Sequence, residues 1–182
     1  SVKDLVDAGS MSKEVINWTQ GDVMNQFISG NIAMMVNGPW QVPTMREQAP
    51  DLNWDVTLLP KDAEYASCLG GENFGVIDGD NVDAALDFLQ FATSKDEVAS
   101  YIDDFGYIAA RKDVAEGQFT DDETMQKFTE EMQYAQPRGP HAQWPEISDA
   151  LSLAVNESIT GTSTPADAAA KAQSTIDGIL AE

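Results

Sequence analysis

Apolar positions along the chain alternate between two periods, and the changes of period mark its elements. After Thr19, with Asp22 three residues on, Val23, Phe27 and Ile28 form an apolar stripe that predicts a helix over residues 20–30. Ile32-Ala33-Met34-Met35-Val36, within 31–37, is a short continuous apolar run whose length fits a buried strand, and Gly38-Pro39 breaks it. Residues 54–59 alternate well enough for a second strand, stopped by Pro60, and 74–77 read as a third. From Val82 the period becomes helical, through Ala85, Leu86 and Leu89. Ser94 with Glu97 forms a capping-box pattern before Val98, Tyr101 and Ile102, and Thr120 with Glu123 forms another before Met125, Phe128 and Met132. A Pro-rich loop is expected over 137–145, then a helix carrying Ile147, Leu151, Ala154 and Val155 that Gly161 ends. Thr164 caps the last helix, with Pro165 at its first position and Asp167 at its third, and Ala169, Ala172, Ile176 and Ile179 on its buried side. The predicted order is helix, three strands, then five helices. Three strands are too few for a self-sufficient α/β sheet beside so many helices, so part of a larger fold is expected to be missing.

Composition narrows the function classes. The chain has 182 residues, 42% of them hydrophobic, enough to bury a core in one medium domain or two small ones. No apolar stretch approaches the ~20 residues of a membrane span. Ten Lys and Arg against 31 Asp and Glu give a net charge of −21, which repels phosphate backbones and excludes nucleic acid as a partner class. One cysteine, Cys68, rules out an internal disulfide and a cysteine zinc cage, and one histidine, His141, removes paired-histidine metal sites and most histidine-assisted nucleophiles. Ser1-Val2-Lys3 opens no signal peptide, so a cytoplasmic protein or a mature or truncated piece is expected.

Four segments could carry chemistry. In Asn37-Gly38-Pro39-Trp40 a tight turn displays a Trp whose flat apolar face suits a sugar ring; the alternative is a Trp packed into the core. In Leu69-Gly70-Gly71-Glu72-Asn73 the glycines permit close backbone approach, while Glu72 and Asn73 supply groups that grip hydroxyls; the alternative is a plain turn. Residues 137–145 hold Arg138, His141 and Trp144 on a rigid loop, or simply connect two helices. Tyr107 and Arg111 flank Ile108-Ala109-Ala110, and Arg111 reads as an ordinary surface residue.

Other patterns fail. Asp78-Gly79-Asp80-Asn81-Val82-Asp83 lacks the Gly and Glu that a calcium loop requires and reads as a polar turn into a helix. Asn156-Glu157-Ser158 is a glycosylation sequon inside a predicted helix. There is no phosphate-cradling glycine loop. With 31 acids, no spacing singles out a carboxylate pair for glycoside hydrolysis.

These segments occur in a recognisable order. Phe27-Ile28-Ser29-Gly30-Asn31-Ile32-Ala33-Met34-Met35-Val36-Asn37-Gly38-Pro39-Trp40 resembles the F-x-x-G-x-x-A-M-x-x-x-G-P-W signature of bacterial ABC-transporter sugar-binding proteins, in their maltose-binding and multiple-sugar-binding branch. Leu58-Leu59-Pro60 followed by Gly70-Gly71-Glu72-Asn73-Phe74-Gly75-Val76, then Phe88-Leu89 to Ala92-Thr93-Ser94, are similar to later stretches of that family. Gly106-Tyr107-Ile108-Ala109-Ala110-Arg111-Lys112-Asp113-Val114 resembles its G-x-l-P-a-r-k-d-v stretch, with Ala109 where the pattern has Pro. Trp144-Pro145-Glu146-Ile147 and Gly161 to Ala169 resemble its closing helices.

The resemblance covers nearly the whole chain but only the C-terminal half of such a protein. It implies an α/β, incomplete two-lobed periplasmic-binding-protein-like (type II) fold, helix-rich with few strands. Residues 1–60 and 120–182 are expected in the C-terminal lobe, and 61–119 in a hinge crossing and a segment of the N-terminal lobe. Carried over position by position, Trp40 matches the aromatic platform, Gly71, Glu72 and Asn73 the loop that meets ligand hydroxyls, and Trp144 and Arg138 a cleft-facing loop, with Tyr107 a further candidate. The implied function is non-catalytic binding of an oligosaccharide or other polar small solute on the extracellular side of a bacterial membrane, periplasmic or as a surface lipoprotein. The implied partner is an ABC permease, with no cofactor, no metal and no nucleic acid. Exposed apolar surface, with oligomerisation or strand exchange, is expected of a chain with half the fold absent. A carboxylate-dependent glycosidase and a helical interaction domain are the alternatives.

Overall fold

The computed structural model describes residues 1–181; Glu182, the last residue of the expected 120–182 segment, lies outside them. In chain order the elements are α1 (Val2–Asp7), α2 (Gln20–Ile28), α3 (Val42–Gln48), β1 (Ser67–Leu69), α4 (Val82–Ala92), α5 (Lys95–Tyr101), α6 (Lys112–Ala115), α7 (Glu123–Glu131), β2 (Ala135–Pro137), α8 (Trp144–Thr160) and α9 (Pro165–Leu180), with single turns of 3₁₀ helix over Lys13–Asn17, Pro39–Gln41 and Met132–Tyr134. The chain forms two compact units, one of Ser1–Val23 with Gly139–Glu182 and one of Met24–Arg138.

The first unit is a helical hairpin with a short helix against it. Gly161 takes a left-handed conformation (φ 78°) that ends α8. Three residues later, Thr164 accepts a hydrogen bond from the Asp167 amide at 3.2 Å and starts α9. Ala168 and Ala172 of α9 are buried and share a groove with Ala150 and Ala154 of α8. Ala169, expected on the buried side, is exposed, because the face that meets α8 runs through 168 and 172, one turn apart, with Ile176 and Ile179 half-buried beyond them. Lys171 bridges the hairpin to Glu157 at 2.7 Å, and α1 packs against α8.

The second unit buries Val42 and Met45 of α3, Met125 of α7, and a cluster of Val98, Ala109 and Val114 with Tyr101 and Ile102 packed against it. Arg46 on α3 holds Asp122 through two hydrogen bonds of 2.7 and 2.9 Å. Asp122 also caps α7, accepting from the Met125 amide at 3.1 Å. The start expected at Thr120 is therefore displaced by two residues: Asp122 both caps the helix and pairs with Arg46, while the Thr120 carbonyl accepts from Gln126 at 2.7 Å. Ser94 stands at the predicted N-cap of α5, but its side chain makes no capping hydrogen bond.

The three predicted strands are not strands. Residues 31–37, 54–59 and 74–77 are irregular, and the sheet among the described residues is a parallel pair, β1 and β2, in the register Ser67↔Ala135 and Leu69↔Pro137. The period-two signal at the second segment is nonetheless real: 54, 56 and 58 are half-buried while 55 and 57 are exposed. Alternation fixes which side chains turn inward, but a strand also needs a second strand beside it, and among the described residues these segments pair with none; the Leu59 amide donates instead to the Glu131 side chain at 3.3 Å. In the other two, Ile32, Met35 and Val76 are half-buried, while Met34 is 85%, Val36 77%, Phe74 65% and Ile77 92% exposed. The expected exposed apolar surface is present.

The Asp122 carboxyl is held below its ordinary pKa of 3.8 first by its hydrogen bonds to Arg46, and then by backbone amides of α7. A depressed native pKa adds stability above the unfolded value and loses it as pH falls through the native one. Asp122→Asn, which can still cap, is expected to cost about 0.2–1 kcal/mol at neutral pH. Asp122→Ala should cost about 1 kcal/mol more through the lost cap. Urea unfolding checks both, and the deficit of Asp122→Asn should shrink as pH falls below 3.8.

Candidate functional site

Two glycines decide where the aromatic residues of the second unit sit. Gly38 precedes the 3₁₀ turn of Pro39–Gln41, in which Pro39 occupies the first position and needs no amide hydrogen. Trp40 folds back over Gly38 so closely that a Cβ at that glycine would lie 2.1 Å from the indole Cη2. Gly106 is buried with φ +67°, and a Cβ there would lie 2.8 Å from the Pro39 carbonyl oxygen and 2.9 Å from Pro43 Cδ. That contact brings the next residue, Tyr107, to the indole: the Trp40 and Tyr107 ring centroids are 6.1 Å apart, with the planes tilted by 35°.

The backbone around Tyr107 is held from a distance. Gln118 accepts from the Ala109 amide at 2.7 Å and donates to the Tyr107 carbonyl at 3.0 Å and to Asp103 at 2.6 Å. Sequence reasoning missed Gln118, and no local pattern marks it, because its role exists only through contacts nine or more residues away. Gly106 carried a weak signal as part of the quoted Gly106-Tyr107 stretch.

Gly71, Glu72 and Asn73 lie exposed on the loop that leaves β1. Because β1 and β2 are parallel with Leu69 beside Pro137, this loop and Arg138 leave the same end of the pair. A carboxylate, an amide and a guanidinium are thus presented at the carboxyl end of parallel strands, the end at which open α/β sheets commonly meet ligands. Trp144 belongs to the other unit: it is the first residue of α8, half-buried, with its amide bonded to the His141 carbonyl at 3.0 Å. The loop expected over 137–145 is therefore shorter, since Pro137 closes β2 and Trp144-Pro145 is helical. The structure joins Trp40 to Tyr107, and the 71–73 loop and Arg138 leave the same end of the strand pair.

An open groove of about 470 Å³ lies between α3 and the start of α7, lined by Val42, Pro43, Arg46, Gly106, Phe119 and Asp122 among others. None of the seven candidate residues lines it. Arg111 is structural, paired with Asp113 at 3.0 Å and donating to the Thr93 carbonyl at 3.1 Å. Among the described residues no group of three or more His, Cys, Asp or Glu is placed to hold a metal ion, and no helix is long and apolar enough to cross a membrane.

Residues 1–127 match the family model described as bacterial extracellular solute-binding protein. The chain belongs to that family. Its relatives include proteins of Brucella abortus (strain 2308), Brucella abortus biovar 1 (strain 9-941) and Brucella suis biovar 1 (strain 1330), each named a candidate binding protein. Each is 28% identical over 178 aligned positions, covering 93% of this chain and 43% of the relative. The chain thus spans less than half the length of the curated relatives it matches. Trp40, Gly71, Glu72, Asn73 and Tyr107 fall within the segment matched by the family model; Arg138 and Trp144 lie beyond it.

Gly106 and Gly30 both have positive φ, +67° and +71°, but only Gly106 lacks space for a side chain. Gly30→Ala should cost about 1–2 kcal/mol, the price of a left-handed non-glycine residue. Gly106→Ala adds the overlap with Pro39 and Pro43, about 1–3 kcal/mol more. Urea unfolding monitored by tryptophan emission should separate the two, and equal losses would show that the close approach carries no energy.

Proposed function

We propose that this chain contributes to a non-catalytic receptor that binds a carbohydrate, most simply an oligosaccharide, for an ABC importer on the extracellular side of a bacterial membrane. The observation that carries the reading is the Trp40–Tyr107 pair, fixed by Gly38 and Gly106 inside the segment that matches the solute-binding family. A fixed indole offers a flat apolar surface to the C–H face of a pyranose ring, and stacking of this kind needs no titrating group. Hydroxyls would be met by directed hydrogen bonds from Gly71, Glu72 and Asn73 and from Arg138, which leave one end of the β1–β2 pair. Trp144, which belongs to the other unit, is a candidate by the resemblance alone. In the whole protein, two lobes would close about the ligand by a hinge movement, and a membrane permease would recognise the closed form.

The test is thermal unfolding of the chain against a panel of oligosaccharides. A ligand that binds only the folded state, at ~100 times its dissociation constant, adds roughly 2.7 kcal/mol of stability. A rise in Tm with one class of sugar is expected, and Trp40→Ala should abolish it while leaving far-UV circular dichroism unchanged. A sugar-induced rise that survives Trp40→Ala would remove Trp40 from the site. A rise given by a non-sugar polar solute alone would replace the ligand class.

A further inference from the structure

Ala109 is buried, and its backbone amide would be costly to leave unpaired there. A proline at the same position would fix its own φ and carry no amide hydrogen. The donor is used, since the Ala109 amide donates to Gln118 Oε1 at 2.7 Å.

The other end of the same side chain is used as well. Gln118 Nε2 donates to the Tyr107 carbonyl at 3.0 Å and to Asp103 Oδ1 at 2.6 Å. Only one orientation of the amide fits, because the Ala109 N–H can only donate while the Tyr107 carbonyl and the Asp103 carboxylate accept. Gln118 therefore grips the carbonyl before Ile108 and the amide after it, as a neighbouring backbone amide in a sheet would. On the other side of Tyr107, the left-handed Gly106 lies against Pro39 and Pro43. Tyr107 is thereby held from both sides at 6.1 Å from the Trp40 indole.

We propose that Gln118 is a positioning residue for the aromatic pair, supplying through its side-chain amide the rigidity that a proline at 109 would otherwise give the Tyr107 loop. The proposal rests on the reading of Trp40 and Tyr107 as ligand-facing residues, and it can fail separately from that reading.

The experiment is near-UV circular dichroism of the full chain. The difference between the chain and Trp40→Phe isolates the Trp40 band, and Tyr107→Leu shows how much of it depends on Tyr107. Gln118→Leu is expected to lose that Tyr107-dependent part with the far-UV spectrum unchanged, and Gln118→Leu combined with Ala109→Pro is expected to regain most of it. Gln118→Glu has the same size, keeps the acceptor for Ala109 and loses both donors at neutral pH, so the same loss is expected if the leucine variant does not fold. An unaltered band in the folded Gln118 variants, or a double variant no better than the single one, overturns the proposal. Melting with maltotriose as probe reports separately: no effect on the unaltered chain counts against the carbohydrate reading, while the band still decides the role of Gln118.

Discussion

The second unit is organised by a backbone contact with no room for a side chain. Gly106 lies so near the Pro39 carbonyl and the Pro43 ring that even a methyl group would overlap both, and its positive φ disfavours any other residue. The contact joins two segments more than sixty residues apart in sequence. One end of α3 is held through Pro43, and one turn further on Arg46 reaches Asp122, the cap of α7. A glycine thus holds one turn of a helix in place, and the next turn on the same face helps to set where another helix begins. The Trp40–Tyr107 pair follows from the same contact, because each aromatic residue is the immediate neighbour of a residue that makes it.

Six of the helices were legible in the sequence, while the short α1, α3 and α6 and the strands were not. A helix satisfies its backbone within itself, so its stripe, cap and stop all lie in the local sequence. Thr19, Thr164, Pro165 and Gly161 act at the positions their residue types indicate. A strand depends on a second segment, which local sequence does not name. Met34, Val36, Phe74 and Ile77 have the composition of buried strands and stand exposed. The sheet that does form pairs Ser67–Leu69 with Ala135–Pro137, short stretches with no alternation to reveal them. The displaced cap of α7 obeys the same rule: Thr120 had the local signal, while Asp122 has the non-local partner.

The candidate site divides along similar lines. Trp40 was visible as an aromatic displayed after a tight turn and Tyr107 as the flank of a short apolar piece, but their pairing was not, since it depends on the approach of Gly106 to Pro39. Gly38 reads in sequence as a chain break; in the structure its missing side chain is the space the indole occupies. Gln118 had no signal at all, because a glutamine that closes a loop from nine residues away looks like any surface glutamine.

On the proposed reading, the two kinds of contact in the site carry different costs of order. The aromatic surface is fixed before ligand arrives, by a left-handed glycine, two prolines and a side-chain amide, so stacking on it loses little conformational freedom. The groups proposed to meet hydroxyls lie exposed on the segments that leave the β1–β2 pair. Affinity common to all pyranose rings would then come from the aromatic pair. Discrimination among sugars would fall to these segments, where a changed hydroxyl would leave Glu72, Asn73 or Arg138 with a different partner. A net charge of −21 adds to the importance of Arg138, a guanidinium at a strand end in a chain where carboxylates outnumber cations three to one. The groups that set specificity are therefore expected to vary among receptors of this kind without disturbing Gly38, Gly106 or the indole they hold in place.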